Sequence, residues 1–273
     1  MTGARNAATV QRPDGTTITY DVAGEGPPVV FVHGLTNDRQ SWEPVTTQLT
    51  SDVTCVGVDL RGHGMSSKGP EYSVLSLVGD VRAVVEEVSL GEPAVVGHSL
   101  GASVAAIYAA AFGARSVVCV DQSLRFGDSA VLVQALAEDL LGERTMEAVL
   151  EFDRSLGLEP FVGLEDLERR VLAFPRDVIL GIWDTMLTTT PQELTALAES
   201  FLPRIVAPLL SLHGSQPPAD YEAWLTGLVP GAQVEVWDGT GHLLHLVDPE
   251  RFADRVRPLL TRPPGPTGRT VGG

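Results

Sequence analysis

Pro93-Ala94-Val95-Val96-Gly97-His98-Ser99-Leu100-Gly101 is the stretch that decides how this chain reads. Apolar or small residues lead into Gly-x-Ser-x-Gly, and an Ala-rich run over 102–111 follows. Strand, sharp turn and helix, in that order, make the setting in which a serine serves as a nucleophile. The reason is steric. A serine at the apex of so tight a turn sits in strained backbone, and its neighbours two residues away must lack a Cβ that would clash across the turn, which Gly97 and Gly101 do. The Ser99 hydroxyl then stands clear of the sheet at a helix N-terminus, whose dipole favours a forming anion. The motif alone also fits an ordinary βα turn with a surface serine; the apolar strand and helix around it favour the first reading.

Upstream, residues 9–12 and 16–22 read as strands around Pro13-Asp14-Gly15. Residues 28–32 form a short apolar strand ending at His33-Gly34, 41–49 a helix, and 53–58 another strand. That strand ends in the polar, Gly-rich loop Asp59 to Ser66, and 74–88 has apolar residues at helical spacing. Downstream of the serine and its helix, 116–120 is a strand. The alternation predicts a mostly parallel sheet covered on both faces.

The alternation stops at about residue 123. Up to 203 the chain predicts helices only, over 131–141, 144–156, 164–174, 177–186 and 192–202, punctuated by Pro160, Pro175 and Pro191. Pro175 and Pro191 stand where each opens a helix. About eighty helical residues inside an alternating chain predict a cap. The expected division is a core over 1–123 and 204–262, a helical cap over 124–203 and a flexible tail over 263–273, rich in Pro and Gly. Strands resume at 208–212 and 233–237, with helices at 221–228 and 248–260.

Composition bounds the function. A chain of 273 residues with 44% hydrophobic content supports one large α/β domain with an insertion. A formal charge of −16 disfavours nucleic acid and anionic membranes as partners. The first ten residues lack the apolar core of a signal peptide, and no run reaches the ~18 apolar residues of a membrane span. A soluble cytoplasmic protein is expected, as monomer or homodimer. Cys55 and Cys119 lie in strand-like segments without metal or redox spacing; buried thiols are the expectation, with a disulfide as the other outcome. Neither a metal cluster nor a phosphate-binding loop is present, so no cofactor is expected.

A serine hydroxyl needs an adjacent base. His242, in Asp238-Gly239-Thr240-Gly241-His242, follows the last predicted strand, and loops at the carboxyl ends of parallel strands share one edge. The competing role is a loop histidine capping a backbone group. An oxyanion also needs donors: the backbone N–H of Leu100, and that of Leu35 in His33-Gly34-Leu35, where Gly34 permits close approach. In the cap, Trp183 and Met186 are candidates to line a substrate pocket; His245, three residues after His242, is expected to point into the following segment and is at most a lining residue. Met146, Phe152 and Phe161 are weaker candidates, because helical apolar spacing more often marks core. Asp59 with Arg61 reads as a structural tie between strand ends.

His33-Gly34, Asp59-x-Arg61-Gly62-His63-Gly64-x-Ser66, Gly97-His98-Ser99-Leu100-Gly101, and Gly241-His242 followed by Pro249-Glu250-Arg251-Phe252 occur in this order. Over roughly residues 9–260 the chain resembles the α/β-hydrolase superfamily, in its helical-cap branch of esterases, lactonases, epoxide hydrolases and C–C bond hydrolases. The resemblance implies an eight-stranded α/β-hydrolase sheet, with Ser99 as nucleophile, His242 as base, and Leu35 and Leu100 as oxyanion donors. A serine where an aspartate would stand argues against epoxide hydrolase and dehalogenase chemistry. The chain departs from most relatives in the third member. After Pro208-Leu209-Leu210-Ser211-Leu212-His213-Gly214, where an aspartate is usual, no carboxylate occurs until Asp220. Some relatives carry the acid one strand earlier, a slot that Asp121 fills here. Asp121 is favoured, with Asp220 as the alternative.

The resemblance predicts a serine hydrolase that cleaves a small-molecule carboxylic ester or lactone through an acyl-enzyme. The alternatives on the same scaffold are a cofactor-free dioxygenase, a C–C bond hydrolase and a non-catalytic ligand-binding relative.

Overall fold

Apolar and β-branched residues recur through this chain in four- to seven-residue runs, too short for a buried helix and suited to strands. In the computed structural model, which describes residues 7–158, 160–161 and 163–263, they form eight strands. These are β1 (Ala7–Gln11), β2 (Thr17–Ala23), β3 (Pro28–Val32), β4 (Thr54–Val58), β5 (Ala94–His98), β6 (Val117–Val120), β7 (Leu209–His213) and β8 (Ala232–Val236). The sheet runs β1-β2-β4-β3-β5-β6-β7-β8. β2 pairs antiparallel with both β1 and β4, and every pair from β4 to β8 is parallel.

The helices of this core are α1 (Glu43–Thr46), α2 (Val74–Glu87) and α3 (Leu100–Phe112) before the insertion. After it come α10 (Tyr221–Leu228), α11 (Leu244–Val247) and α12 (Pro249–Leu260). They cover both faces, and the strand period of two distributes the core accordingly. Val30 and Val32 of β3 pack into one cluster with Leu77 and Val81 of α2 and Ala102, Ala105 and Ala106 of α3. Their neighbours Val29 and Phe31 pack into the other, with Trp42, Val45, Phe252 and Val256. A strand buried on both faces has no polar alternation, which is why β3 and β5 read as continuous apolar runs. Cys55 and Cys119 are buried thiols in clusters on opposite faces, and no disulfide joins them. Burial pushes the Cys119 thiol up to about 12.

Between β6 and β7 lie α4 (Phe126–Ala135), α5 (Ala137–Leu141), α6 (Thr145–Ser155), α7 (Leu164–Ala173), α8 (Arg176–Thr188) and α9 (Pro191–Phe201), with no strand among the described residues. Pro191 opens α9 as its first residue, behind a capping box in which Thr190 and Glu193 exchange hydrogen bonds. Pro175 stands one position earlier relative to α8, as its N-cap. These helices make their own apolar cluster around Val149, Leu167, Val171 and Ile179.

Two expectations are corrected. The helix predicted over 41–49 is only the four residues of α1, preceded by a 3-10 turn over Arg39–Trp42. Asp59 and Arg61 are structural but do not tie to each other: Asp59 takes the guanidinium and backbone N–H of Arg39, while Arg61 forks onto Asp80. The tail expected to be flexible lies outside the described residues from 264 onward.

β3 has β4 on one side and β5 on the other, so the chain reverses its direction of travel across the sheet there. At such a switch point the loops leaving adjacent strands part, and a crevice opens at their carboxyl ends. Gly34-Leu35 leaves β3 at this place and Ser99 leaves β5.

Candidate active site

Ser99 is the N-cap of α3, with φ 52° and ψ −120°. L-residues rarely adopt this conformation, and the surroundings hold it in place. Its N–H donates to the Val120 carbonyl at 2.9 Å, keeping the turn registered on β6, and its carbonyl accepts from Ala102 at 2.8 Å. A Cβ on Gly97 would collide with the Gly101 carbonyl, and one on Gly101 with the Val32 carbonyl. These two glycines therefore let α3 start directly against the ends of β5 and β3. Gly34 is needed as well, since a Cβ there would come within 2.8 Å of the His98 ring. The N–H groups of Leu35 and Leu100 have no acceptor among the described residues, and both residues line the cavity above Ser99. The Leu100 N–H belongs to the first turn of α3, where backbone donors lack intrahelical partners.

Asp121 follows β6 with φ 47°. Its N–H stays in the ladder, donating to the Leu212 carbonyl at 2.7 Å. The carboxylate is satisfied on both oxygens: Gly214 N–H donates to Oδ1 at 2.8 Å, and Oδ2 lies 2.6 Å from His242 Nδ1. Burial pushes this carboxyl up, but the hydrogen bond and charge of His242, with the Gly214 N–H, outweigh it and hold it below the usual carboxylate range. An ionised carboxylate only accepts, so His242 Nδ1 carries the proton of that contact, and in the neutral ring Nε2 is the nitrogen that bears the lone pair. Asp220 is elsewhere: its side chain is 73% exposed and pairs with Arg125 at 2.8 Å.

The loop carrying His242 is fastened at both backbone ends. Its N–H donates to the Gly157 carbonyl, in the loop after α6, at 3.0 Å. Its carbonyl accepts from His98 Nε2 at 2.9 Å. His98 is fully enclosed, and burial first, then the nearby His242 and His245, drive its pKa well below the usual value. A neutral His98 with its one proton on Nε2 is thus a fixed strut between the residue preceding Ser99 and the base loop. Sequence reasoning saw His98 only as the variable position of the serine motif.

Ser99 and His242 line one cavity of about 110 Å³. Trp183 and Met186 of α8 line it too, with Phe152 of α6, whose ring meets Trp183 edge-on at 5.3 Å and 70°. Met146 and Phe161 pack against the cluster of the inserted helices instead. Asp121 is absent from the lining, screened behind His242.

His245 is the site candidate that the structure moves. It is 1% exposed and away from the cavity, with its ring 4.5 Å from Trp42 and 4.6 Å from His98. The turn α11 directs it inward onto α1 and α12, and burial lowers its pKa to about 3. Sequence reasoning also passed over Asp153. This α6 carboxyl lines the cavity, and burial raises its pKa to about 6, against the opposing effect of His242. It stands four residues after the fully buried Val149, on the stripe that helical periodicity assigns to the interior. That placement was its signal in the sequence.

A family model described as the alpha/beta hydrolase family matches residues 29–255. A pyrrolizixenacetamide deacetylase of Xenorhabdus hominickii is 28% identical over 253 residues, 89% of this chain and 94% of that protein. Among solved structures, a putative aryl esterase from Burkholderia cenocepacia superposes with a TM-score of 0.70 at 26% identity, covering 94% of this chain and all of that one. An N-acyl homoserine lactone degrading enzyme superposes with a TM-score of 0.76 at 24% identity, over 92% and 99% of the two chains, a likeness of fold. No helix among the described residues is long and apolar enough to cross a membrane, and none of them groups as metal ligands.

Proposed function

Since this chain belongs to the alpha/beta hydrolase family and is a hydrolase, we propose that it cleaves small carboxylic esters, lactones included, through an acyl-enzyme on Ser99. Residues 124–203 act as the cap of a core formed by 1–123 and 204–262. The observation that carries the reading is the 2.6 Å contact of Asp121 with His242 Nδ1, which leaves Nε2 as the proton acceptor in the cavity that Ser99 also lines.

Ser99 Oγ attacks the ester carbonyl carbon and its proton passes to His242 Nε2. The carbonyl oxygen becomes an oxyanion, held by the N–H groups of Leu35 and Leu100. Asp121 stabilises the imidazolium and fixes its tautomer. When the tetrahedral adduct collapses, the C–O bond breaks and the proton moves from Nε2 to the departing alkoxide. Water then attacks the acyl-enzyme by the same route, giving the acid and restoring Ser99.

The test is a fluorophosphonate probe with a panel of p-nitrophenyl esters and lactones. Wild type should label at Ser99 and turn over members of the panel. Ser99→Ala should do neither while keeping the same thermal unfolding transition. Unchanged hydrolysis by Ser99→Ala ends the proposal.

A further inference from the structure

The cavity contains a charge that the ester chemistry does not use. Asp153 lines it from α6, and among the described residues no side-chain or backbone donor reaches its carboxylate, although it sits in a largely apolar enclosure. Its neighbours Glu151 and Arg154 are exposed, and Arg154 is committed to Glu168 of α7 at 2.6 Å. No Lys or Arg occurs among the described lining residues. A half-buried carboxyl with no hydrogen-bond donor in an otherwise apolar wall is unfavourable, and retaining one there makes sense when the partner arrives with the ligand. Trp183 and Phe152 supply aromatic surface in the same wall, the environment in which a cation is held best.

Building on the ester-hydrolase reading above, we propose that Asp153 is a specificity residue that selects substrates bearing a positively charged nitrogen, so that the preferred esters are cationic ones. The carboxylate meets the substrate cation, whose arrival supplies the absent counter-charge. A substrate carboxylate placed there would face Asp153 with no Lys or Arg among the described lining residues to offset it. Asp153 takes no part in bond making; it acts through binding and orientation under the cap.

Three p-nitrophenyl esters test this: the 4-(trimethylammonio)butanoate, its uncharged carbon isostere 5,5-dimethylhexanoate, and the glutarate monoester. Wild type should prefer the cationic ester over its isostere by about tenfold or more in kcat/KM and rank the anionic one last. Asp153→Asn and Asp153→Leu should bring the cationic-to-neutral ratio in kcat/KM close to one. Labelling of Ser99 by the fluorophosphonate and an unchanged thermal unfolding transition report that each variant keeps its fold and its Ser99 site. Equal use of the cationic and neutral esters by wild type overturns the inference, as does a preference that survives both substitutions. Failure to hydrolyse any of the three, with Ser99 unlabelled by fluorophosphonate, overturns instead the ester-hydrolase reading on which the inference rests.

Discussion

Among single residues, the two carboxylates proposed for the third position differ in what they touch. Asp121 is nearly enclosed and bonded to both Gly214 and His242; Asp220 is a surface partner of Arg125. Asp121→Asn removes the acceptor that fixes the His242 tautomer and should lower kcat on an ester substrate by about 10⁴-fold. Asp220→Asn should leave kcat within about twofold, since an exposed ion pair contributes little. Stopped-flow release of p-nitrophenolate from both variants checks the ranking, and the reverse order would move the acid to Asp220. Asp121 was favoured through the resemblance, in which some relatives carry the acid after this strand; position alone did not choose it, since Asp59 also directly follows a strand of the same sheet. Asp153 was passed over: between the charged Glu151 and Arg154 it reads as one more solvated side chain, although its place four residues after the buried Val149 puts it on the inward stripe of α6.

Whole elements explain a second set of successes and misses. The strands and most of the inserted helices were legible because each carries a full period of its pattern, and prolines mark the breaks at Pro175 and Pro191; the single helix expected over 131–141 instead begins at Phe126 and breaks at Leu136 into α4 and α5. α11 was missed because four residues hold little more than one turn, too few to show a period, so the direction of His245 followed no visible rule. α1 was overdrawn because its apolar residues continue into turns that finish the connection to β4. The loop between β8 and α11 gives a prediction at this scale. Gly241 has φ +64°, and a Cβ there would strike the Gly157 carbonyl of the inserted segment. Gly241→Ala should therefore displace the two loops, lowering kcat by about tenfold or more and stability by ~1–3 kcal/mol. Steady-state kinetics with urea unfolding measures both; wild-type kcat in this variant would refute the coupling. Trp183→Ala, which removes the aromatic wall of α8 from the cavity, should instead raise KM for aryl esters several-fold with a smaller effect on kcat. An effect confined to kcat would place the indole outside the binding surface.

For the molecule as a whole, histidine burial sets the response to acid. His33, His63, His98, His213 and His245 all have pKa values lowered chiefly by burial, His63 and His245 to about 3. The unfolded chain binds protons at these sites near pH ~6.5 while the folded chain does not, so stability falls as pH drops below that value, by up to ~1.4 kcal/mol per pH unit for each group. Asp121, lowered in the fold, acts in the same direction at more acid pH. Asp153 opposes them: raised to about 6, it takes up a proton first in the folded state and offsets roughly one histidine between pH ~6 and ~4. The balance remains unfavourable, so the urea midpoint should be clearly lower at pH 5 than at pH 7. A midpoint that holds or rises on acidification would contradict the burial of these rings.

The hydrogen bond between Gly157 and His242 joins the loop after α6 to the residue proposed as proton acceptor. On that proposal, an outward swing of the inserted helices would release one of the two backbone anchors of the base, leaving only the one to His98. Substrate admission and turnover would then alternate rather than overlap, and stray water would meet a loosened base.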